Sequence, residues 1–174
     1  MFSRSRPRQL ETEEELYDVA LRALMRRAHS VQEMQKKLSH YTRNELLVRL
    51  VMARLKENGQ LNDARYAQQF TRNRTQSRKQ GQFRIARELR TRGVADADIN
   101  SALETSAAES DPAAMVRQRI ERKLKSSGGK IDGKKIASIY GSLLRAGFPS
   151  DVIRRELKRL TSEEVPEADI ASDQ

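Results

Sequence analysis

The stretch Leu89-Arg90-Thr91-Arg92-Gly93-Val94 has its clearest internal match 54 residues later, in Leu143-Leu144-Arg145-Ala146-Gly147-Phe148. In both copies a leucine lies four residues before a glycine, an apolar residue follows the glycine, and an isoleucine comes six residues after it. A glycine at such a position ends a helix in the left-handed conformation, and the apolar residue after it packs back against the helix. The pattern therefore predicts two units in which one helix turns sharply into the next.

Apolar residues recur at helical spacing along the whole chain, in nine segments with no credible strand among them. Thr12 with Glu15, and Ser30 with Glu33, have the spacing of capping boxes at helix starts. Asn58-Gly59 is a typical helix end. The periodicity predicts an all-α fold whose core contains Leu24, Leu38, Leu50, Phe70, Leu89, Leu103, Ile120, Leu143 and Leu157.

The nine predicted helices fall into three triplets. A repeat of about 50 residues is typical of stacked helical units, so we expect three tandem three-helix repeats in an elongated, curved array. The first triplet fits less well because Thr42 stands where the other two have glycine, and chance similarity is the alternative there. The predicted divisions are a basic N-terminal tail (1–11), three repeats (12–59, 60–105 and 106–160) and an acidic, disordered tail (161–174).

The composition excludes several classes of site. The 174 residues include no cysteine and only two histidines, His29 and His40, which removes thiolate chemistry and leaves little for a metal centre. No apolar run approaches the roughly 18 residues of a membrane span. No nucleophile or phosphate-loop motif occurs. We therefore expect a soluble intracellular protein with no catalytic activity, cofactor or metal requirement.

Positive charge is concentrated in the middle of the chain. Lys and Arg number 34 against 24 Asp and Glu, a net charge of +10. We call nine residues between 65 and 92 the basic block; one acid, Glu88, lies among them. Such clustering suits phosphates or an acidic protein surface, whereas a solvated helix face is the alternative. The block consists of Arg65, Arg72, Arg74, Arg78, Lys79, Arg84, Arg87, Arg90 and Arg92.

A secondary basic patch follows at Arg117, Arg119, Arg122 and Lys123. The few aromatic residues near the basic block are Tyr66, Phe70 and Phe83. Stacking on exposed bases is one role for them, but packing inside the protein is the better interpretation. The tail from residue 161 holds five acids and no base, and we expect it to aid solubility or to shield the basic faces.

Four segments together resemble the RecX regulatory proteins. The most specific, Gly59-Gln60-Leu61-Asn62-Asp63-Ala64-Arg65-Tyr66-Ala67, is similar to the family's Gly-Tyr-Leu-Asp-Asp-x-Arg-Phe-Ala. The others are the Ala23–Leu38 segment, the Gly81–Val94 segment and Leu143–Phe148, in the family's order, so that the resemblance runs from about residue 15 to 160. Gln60 and Asn62 depart from the family pattern. Asn62 still suits a helix cap, whereas Gln60 replaces an aromatic contact.

The resemblance implies three three-helix repeats and a cytoplasmic, cofactor-free regulator that does no chemistry itself. It implies binding to RecA and the RecA–DNA filament and inhibition of their ATPase, strand-exchange and co-protease activities, within recombination, DNA repair and the SOS response. We expect a monomer that binds no membrane and that binds single- or double-stranded DNA weakly, if directly. The alternatives are a basic helical DNA-binding or architectural protein and a scaffold that happens to be basic.

Overall fold

The computed structural model describes residues 9–126 and 132–161, and these ranges contain nine α-helices and no strand. The predicted all-α class is confirmed. The expectations for most of the two tails fall outside the described residues. The helices are α1 (Glu13–Arg26), α2 (Val31–Leu38), α3 (Glu45–Glu57), α4 (Asp63–Gln76), α5 (Gln82–Thr91), α6 (Asp96–Glu109), α7 (Pro112–Lys125), α8 (Gly133–Arg145) and α9 (Ser150–Thr161).

The helices begin at side chains that satisfy free backbone N–H groups. The Thr12 hydroxyl accepts from the Glu15 N–H at the start of α1, and Ser30 and Glu33 form the complete capping box of α2. Asn62 accepts from the Arg65 N–H at 2.9 Å, so this departure from the family pattern does cap α4. These helix starts were predicted from the residue types, because a cap involves groups only two or three residues apart.

The two copies of the leucine–glycine pattern have the same local geometry. Gly93 and Gly147 have φ of +75° and +89°, in the left-handed region. The N–H after each glycine donates to the carbonyl of the leucine five residues earlier, from Val94 to Leu89 and from Phe148 to Leu143, at 3.2 Å in both copies. This six-to-one hydrogen bond is the Schellman helix end. The apolar residue and the isoleucine of each copy are buried.

The described residues divide into two compact units. The first takes 9–70 and 88–102, and the second takes 71–87, 103–126 and 132–161. Helices α4, α5 and α6 each contribute residues to both units. The predicted repeat boundaries remain a prediction.

The first unit buries an apolar cluster where α1, α2 and α3 pack together. Leu16, Met34, Leu38 and Leu55 are fully buried within it. Beside this cluster, the Tyr17 hydroxyl donates to Gln60 Oε1 at 2.7 Å. The glutamine that departs from the family pattern therefore has a polar contact of its own.

The second unit has a separate cluster formed by α7, α8 and α9. Ile120, Ile139, Ile153 and Leu157 are buried in it, together with Phe148 after the second glycine turn. Burial of one such side chain contributes roughly 1.5–3 kcal/mol. The second leucine–glycine turn, with the two helices that it joins, thus contributes to this core.

Several core predictions were wrong or only half right. Leu50 is 48% exposed, because α3 has apolar residues on most of its circumference and the buried face is the one through Leu47, Val48 and Val51. Phe83 is 60% exposed rather than packed inside. Three residues expected in the core are half-buried, Leu24, Phe70 and Leu103. Tyr66 is buried, as predicted. The other five predicted core residues are also buried, namely Leu38, Leu89, Ile120, Leu143 and Leu157.

Candidate functional site

The basic block is shared between the two units. Arg65, Arg90 and Arg92 belong to the first unit. The second contains the remaining six, Arg72, Arg74, Arg78, Lys79, Arg84 and Arg87, and all four residues of the secondary basic patch. The basic side chains are therefore described one unit at a time.

In the first unit, Arg92 has an internal role. Its guanidinium forms an ion pair with Glu33 and lies over the Phe70 ring, 5.1 Å from the centroid. The Arg92 carbonyl accepts a hydrogen bond from the Ser30 hydroxyl at 2.6 Å. Arg92 thus connects the turn after α5 with the start of α2, and its charge is largely neutralised.

Glu33 is the carboxylate on which this network centres. Besides Arg92 it binds Arg27 at 2.9 Å and accepts from the Ser30 N–H. Burial alone would raise the pKa of Glu33, but the hydrogen bonds from Arg27 and Ser30 and the charges of both arginines hold this pKa below its usual value. Glu33 is therefore ionised at neutral pH and serves as a structural counter-ion.

The other two block residues of the first unit also have internal partners. Arg65 donates to the Gly59 carbonyl at 2.6 Å and so closes the turn before α4. Arg90 is paired with Asp96 at 2.7 Å, although both side chains are more than half exposed. Exposed pairs of this kind contribute little stability.

The second unit contains basic-block residues whose charges are less neutralised than those of Arg90 and Arg92 in the first unit. Arg72 pairs with Glu109 at 3.1 Å. Arg78 and Lys79 lie in the turn after α4, where Lys79 has a φ of +51°, and neither side chain forms an ion pair within the described ranges. These two cations are exposed and available to a partner.

Beside this turn, α5 and the end of α8 form an open groove of about 520 Å³. We call it the Phe83 groove. Phe83 and Leu144 are 60% and 40% exposed. Its other lining residues are Arg84, Arg87, Arg145 and Gly147.

Backbone contacts hold the two walls of the Phe83 groove together. The Gly81 N–H donates to the Ala146 carbonyl at 2.8 Å, and the Phe83 N–H donates to the Gly147 carbonyl at 3.1 Å. A Cβ on Gly81 would come within 2.2 Å of the Gly147 carbonyl group. The two segments of the chain therefore meet only because Gly81 lacks a side chain. The backbone that carries the exposed phenyl ring is therefore hydrogen-bonded to the turn after α8.

The secondary basic patch is partly structural. Arg117 pairs with Glu156 at 2.9 Å, and the hydrogen bond from Arg117, acting against burial, holds the pKa of the Glu156 carboxyl below its usual value. Arg119 lies over the Phe148 ring and donates to the Arg78 carbonyl at 3.3 Å. Arg122 and Lys123 complete the patch, and only Arg122 of these two is exposed.

Arg119 also connects the secondary patch to the basic block. Burial lowers the pKa of the Arg119 guanidinium, and the neighbouring charges of Arg122 and Arg84 lower it further. Arg119 is thus close enough to Arg122 and to Arg84 to be repelled by both charges. An anionic partner would relieve that repulsion.

Sequence reasoning missed four lining residues of the Phe83 groove. The sequence predicts packing for Phe83, and Leu144, Arg145 and Gly147 have a role there only as parts of the repeat pattern. The usable signal was that Leu144 lies one residue after the buried leucine and so points away from the core. No sequence pattern predicts the contact between the start of α5 and the end of α8, because these segments are far apart in the sequence.

Chemistry-bearing clusters are absent from the part of the chain that the structure describes. No group of three or more His, Asp or Glu side chains there has a metal-binding arrangement. His29 is buried, its Nδ1 lies 2.9 Å from the Arg27 carbonyl, and burial lowers its pKa. Nor is any helix in the described ranges long and apolar enough to span a membrane.

Comparison with known proteins identifies a family. The family model "RecX, second three-helix domain" matches residues 62–103. The regulatory protein RecX of Halorhodospira halophila is 39% identical over 141 residues, covering 81% of this chain and 85% of the relative. That of Pseudomonas putida is 34% identical over 148 residues, covering 85% and 92%.

A solved structure shows a similar fold. The crystal structure of RecX from Lactobacillus salivarius superimposes with a TM-score of 0.75, at 22% identity. The match covers 87% of this chain and 97% of that one. The likeness agrees with an all-α fold of three-helix repeats.

Proposed function

Because the chain belongs to the RecX family of regulatory proteins, we propose that it binds RecA and the RecA–DNA filament and inhibits their ATPase, strand-exchange and co-protease activities. In this role the protein acts in the cytoplasm as a monomer, without a cofactor and without chemistry of its own. It thereby restrains recombination, DNA repair and the SOS response. The observation that carries this proposal is the 39% identity over most of both chains.

The partner surface in this proposal is the part of the basic block that lies in the second unit. Arg78 and Lys79 have no counter-ion among the described residues, and Arg84 and Arg87 line the Phe83 groove. Charge clusters of one sign steer a partner of the opposite sign and select its orientation. An exposed aromatic ring among arginines is a common anchor in protein interfaces.

A second candidate function is direct binding to nucleic acid by the same surface. Phe83 carries this alternative, because an exposed ring beside Arg84 and Arg145 is an arrangement on which single-stranded bases stack. The two candidates differ in whether DNA alone is enough. A pull-down of RecA at moderate salt, with and without nuclease, separates them. RecA capture that survives nuclease supports protein binding, and capture lost with the DNA supports the second candidate.

The surface itself is tested by the double reversal Arg78→Glu with Arg84→Glu. We expect inhibition of the RecA ATPase to fall sharply while circular dichroism shows an unchanged helix content, because exposed substitutions usually change stability by less than about 0.5 kcal/mol. If the surface meets phosphates instead, DNA affinity falls for all sequences alike, with a salt slope lower by about 0.7–0.9 per lost contact.

The matched control is Lys134→Glu with Lys158→Glu, two exposed cations of the second unit outside both basic clusters. It changes the net charge equally and should leave inhibition intact. A folded Arg78/Arg84 variant with unchanged inhibition and unchanged DNA affinity would show that this surface is only solvated.

A further inference from the structure

A different basic groove lies in the first unit, and no residue of the basic block lines it. It has a volume of about 580 Å³ and is bordered by the end of α1 and by α2. Arg22, Arg26 and Arg27 come from α1 and the residue after it, and Lys37 comes from α2. His29 and Tyr41 complete its polar lining, over the small side chains Val19 and Ala23. No carboxylate of the described residues lines this groove, which we call the α1–α2 groove.

Three of its four cations have no counter-ion within residues 9–126 and 132–160. Arg27 is paired with Glu33. Arg22, Arg26 and Lys37 form no ion pair with any residue that the structure describes. Arg22 and Arg26 are also four residues apart on one helix face, where like charges destabilise a helix by roughly 0.2–0.5 kcal/mol. The fold thus gathers positive charges at a cost that an anionic ligand would offset.

Helix ends explain only part of this arrangement. Arg26 and Lys37 lie in the last turns of α1 and α2, where a cation interacts favourably with the helix dipole. Arg22 lies outside the last turn of α1, so the dipole does not account for it. Nor does it account for the convergence of both helices' cations on one groove.

We propose that the α1–α2 groove binds phosphate groups. Arginine forks match phosphate oxygens in bidentate geometry, and Arg22 and Arg26 present two forks one helical turn apart with Lys37 opposite. Tyr41 is half-buried in the lining, and a cationic groove with an aromatic side chain is the usual arrangement for holding a single-stranded backbone. The groove volume also lies within the range of roughly 300–1,000 Å³ typical of small-ligand sites. A free nucleotide, which carries the same phosphate groups, therefore also fits the groove.

The test is the double variant Arg22→Gln with Lys37→Gln in the full chain, with no RecA present. A short fluorescent oligothymidylate is titrated by anisotropy between roughly 50 and 200 mM salt. Because a single strand loses about 0.7 of log–log slope for each phosphate contact, we expect the slope to fall by about 1.4. ATP without metal is titrated by calorimetry in parallel.

The matched control is Arg43→Gln with Lys56→Gln, two exposed cations of the first unit that do not line the groove. It removes the same charge and should leave the slope unchanged. A slope loss specific to the groove variant supports a nucleic-acid backbone, and a groove-specific loss of ATP binding supports free nucleotides. No binding by the wild type in both assays, or equal effects of both variants, would overturn the proposal. Since RecA is absent, neither outcome depends on the proposed inhibition.

Discussion

The contact between Gly81 and Gly147 leads to a sharp prediction for the substitution Gly81→Ala. A Cβ at residue 81 would lie 2.2 Å from the Gly147 carbonyl carbon and oxygen and 2.4 Å from the Phe148 nitrogen. All three are backbone atoms, so no side-chain rotation relieves the clash. The two chain segments must separate.

The expected cost follows from that separation. Overpacking by one carbon costs roughly 1–3 kcal/mol. The two hydrogen bonds that connect the segments, from Gly81 to Ala146 and from Phe83 to Gly147, contribute roughly 0.5–1.5 kcal/mol each. We therefore expect Gly81→Ala to lower the free energy of unfolding by about 2–6 kcal/mol when both hydrogen bonds are lost.

Urea unfolding followed by circular dichroism measures this change, and Gly133→Ala is the matched control. A Cβ on Gly133 meets nothing within 4 Å, and residue 133 begins α8, where alanine is the better helix former. We expect the control to be neutral or slightly stabilising. If Gly81→Ala lies within about 0.5 kcal/mol of the control, the close approach of the two glycines does not hold this part of the second unit together.

The other predictions concern burial and pH. Leu89→Ala should lower the free energy of unfolding by about 2–5 kcal/mol because Leu89 is fully buried. Leu50 is half-exposed, so Leu50→Ala should lower it by less than about 1 kcal/mol. Equal losses for the two variants in urea unfolding would contradict the assigned buried face of α3. Glu156 has a lowered pKa in the folded protein, so its stabilisation is present above the unfolded pKa of about 4.3 and disappears as the pH falls through the folded value. Glu156→Gln should therefore be less stable than the wild type at neutral pH and approach it in acid, and a difference independent of pH would refute this reasoning.

Much of the fold was predictable because helix ends are local. The caps at Thr12, Ser30 and Asn62 and the glycine turns at Gly93 and Gly147 each involve groups at most six residues apart. Residue types alone therefore located nearly every helix. The same pattern, together with the family segments, predicted the all-α class and the family.

The functional surfaces depend on contacts between distant residues. On α3 the apolar residues cover most of the circumference, and only packing against α1 and α2 decides that Val48 is buried and Leu50 is not. Arg92 was a candidate partner residue by composition, yet a carboxylate 59 residues away neutralises it. The Phe83 groove and the α1–α2 groove both form where helices meet. The sequence by itself thus determined the helices and their ends, whereas only the tertiary structure decided which charges and apolar side chains remain available, because burial and neutralisation depend on long-range packing.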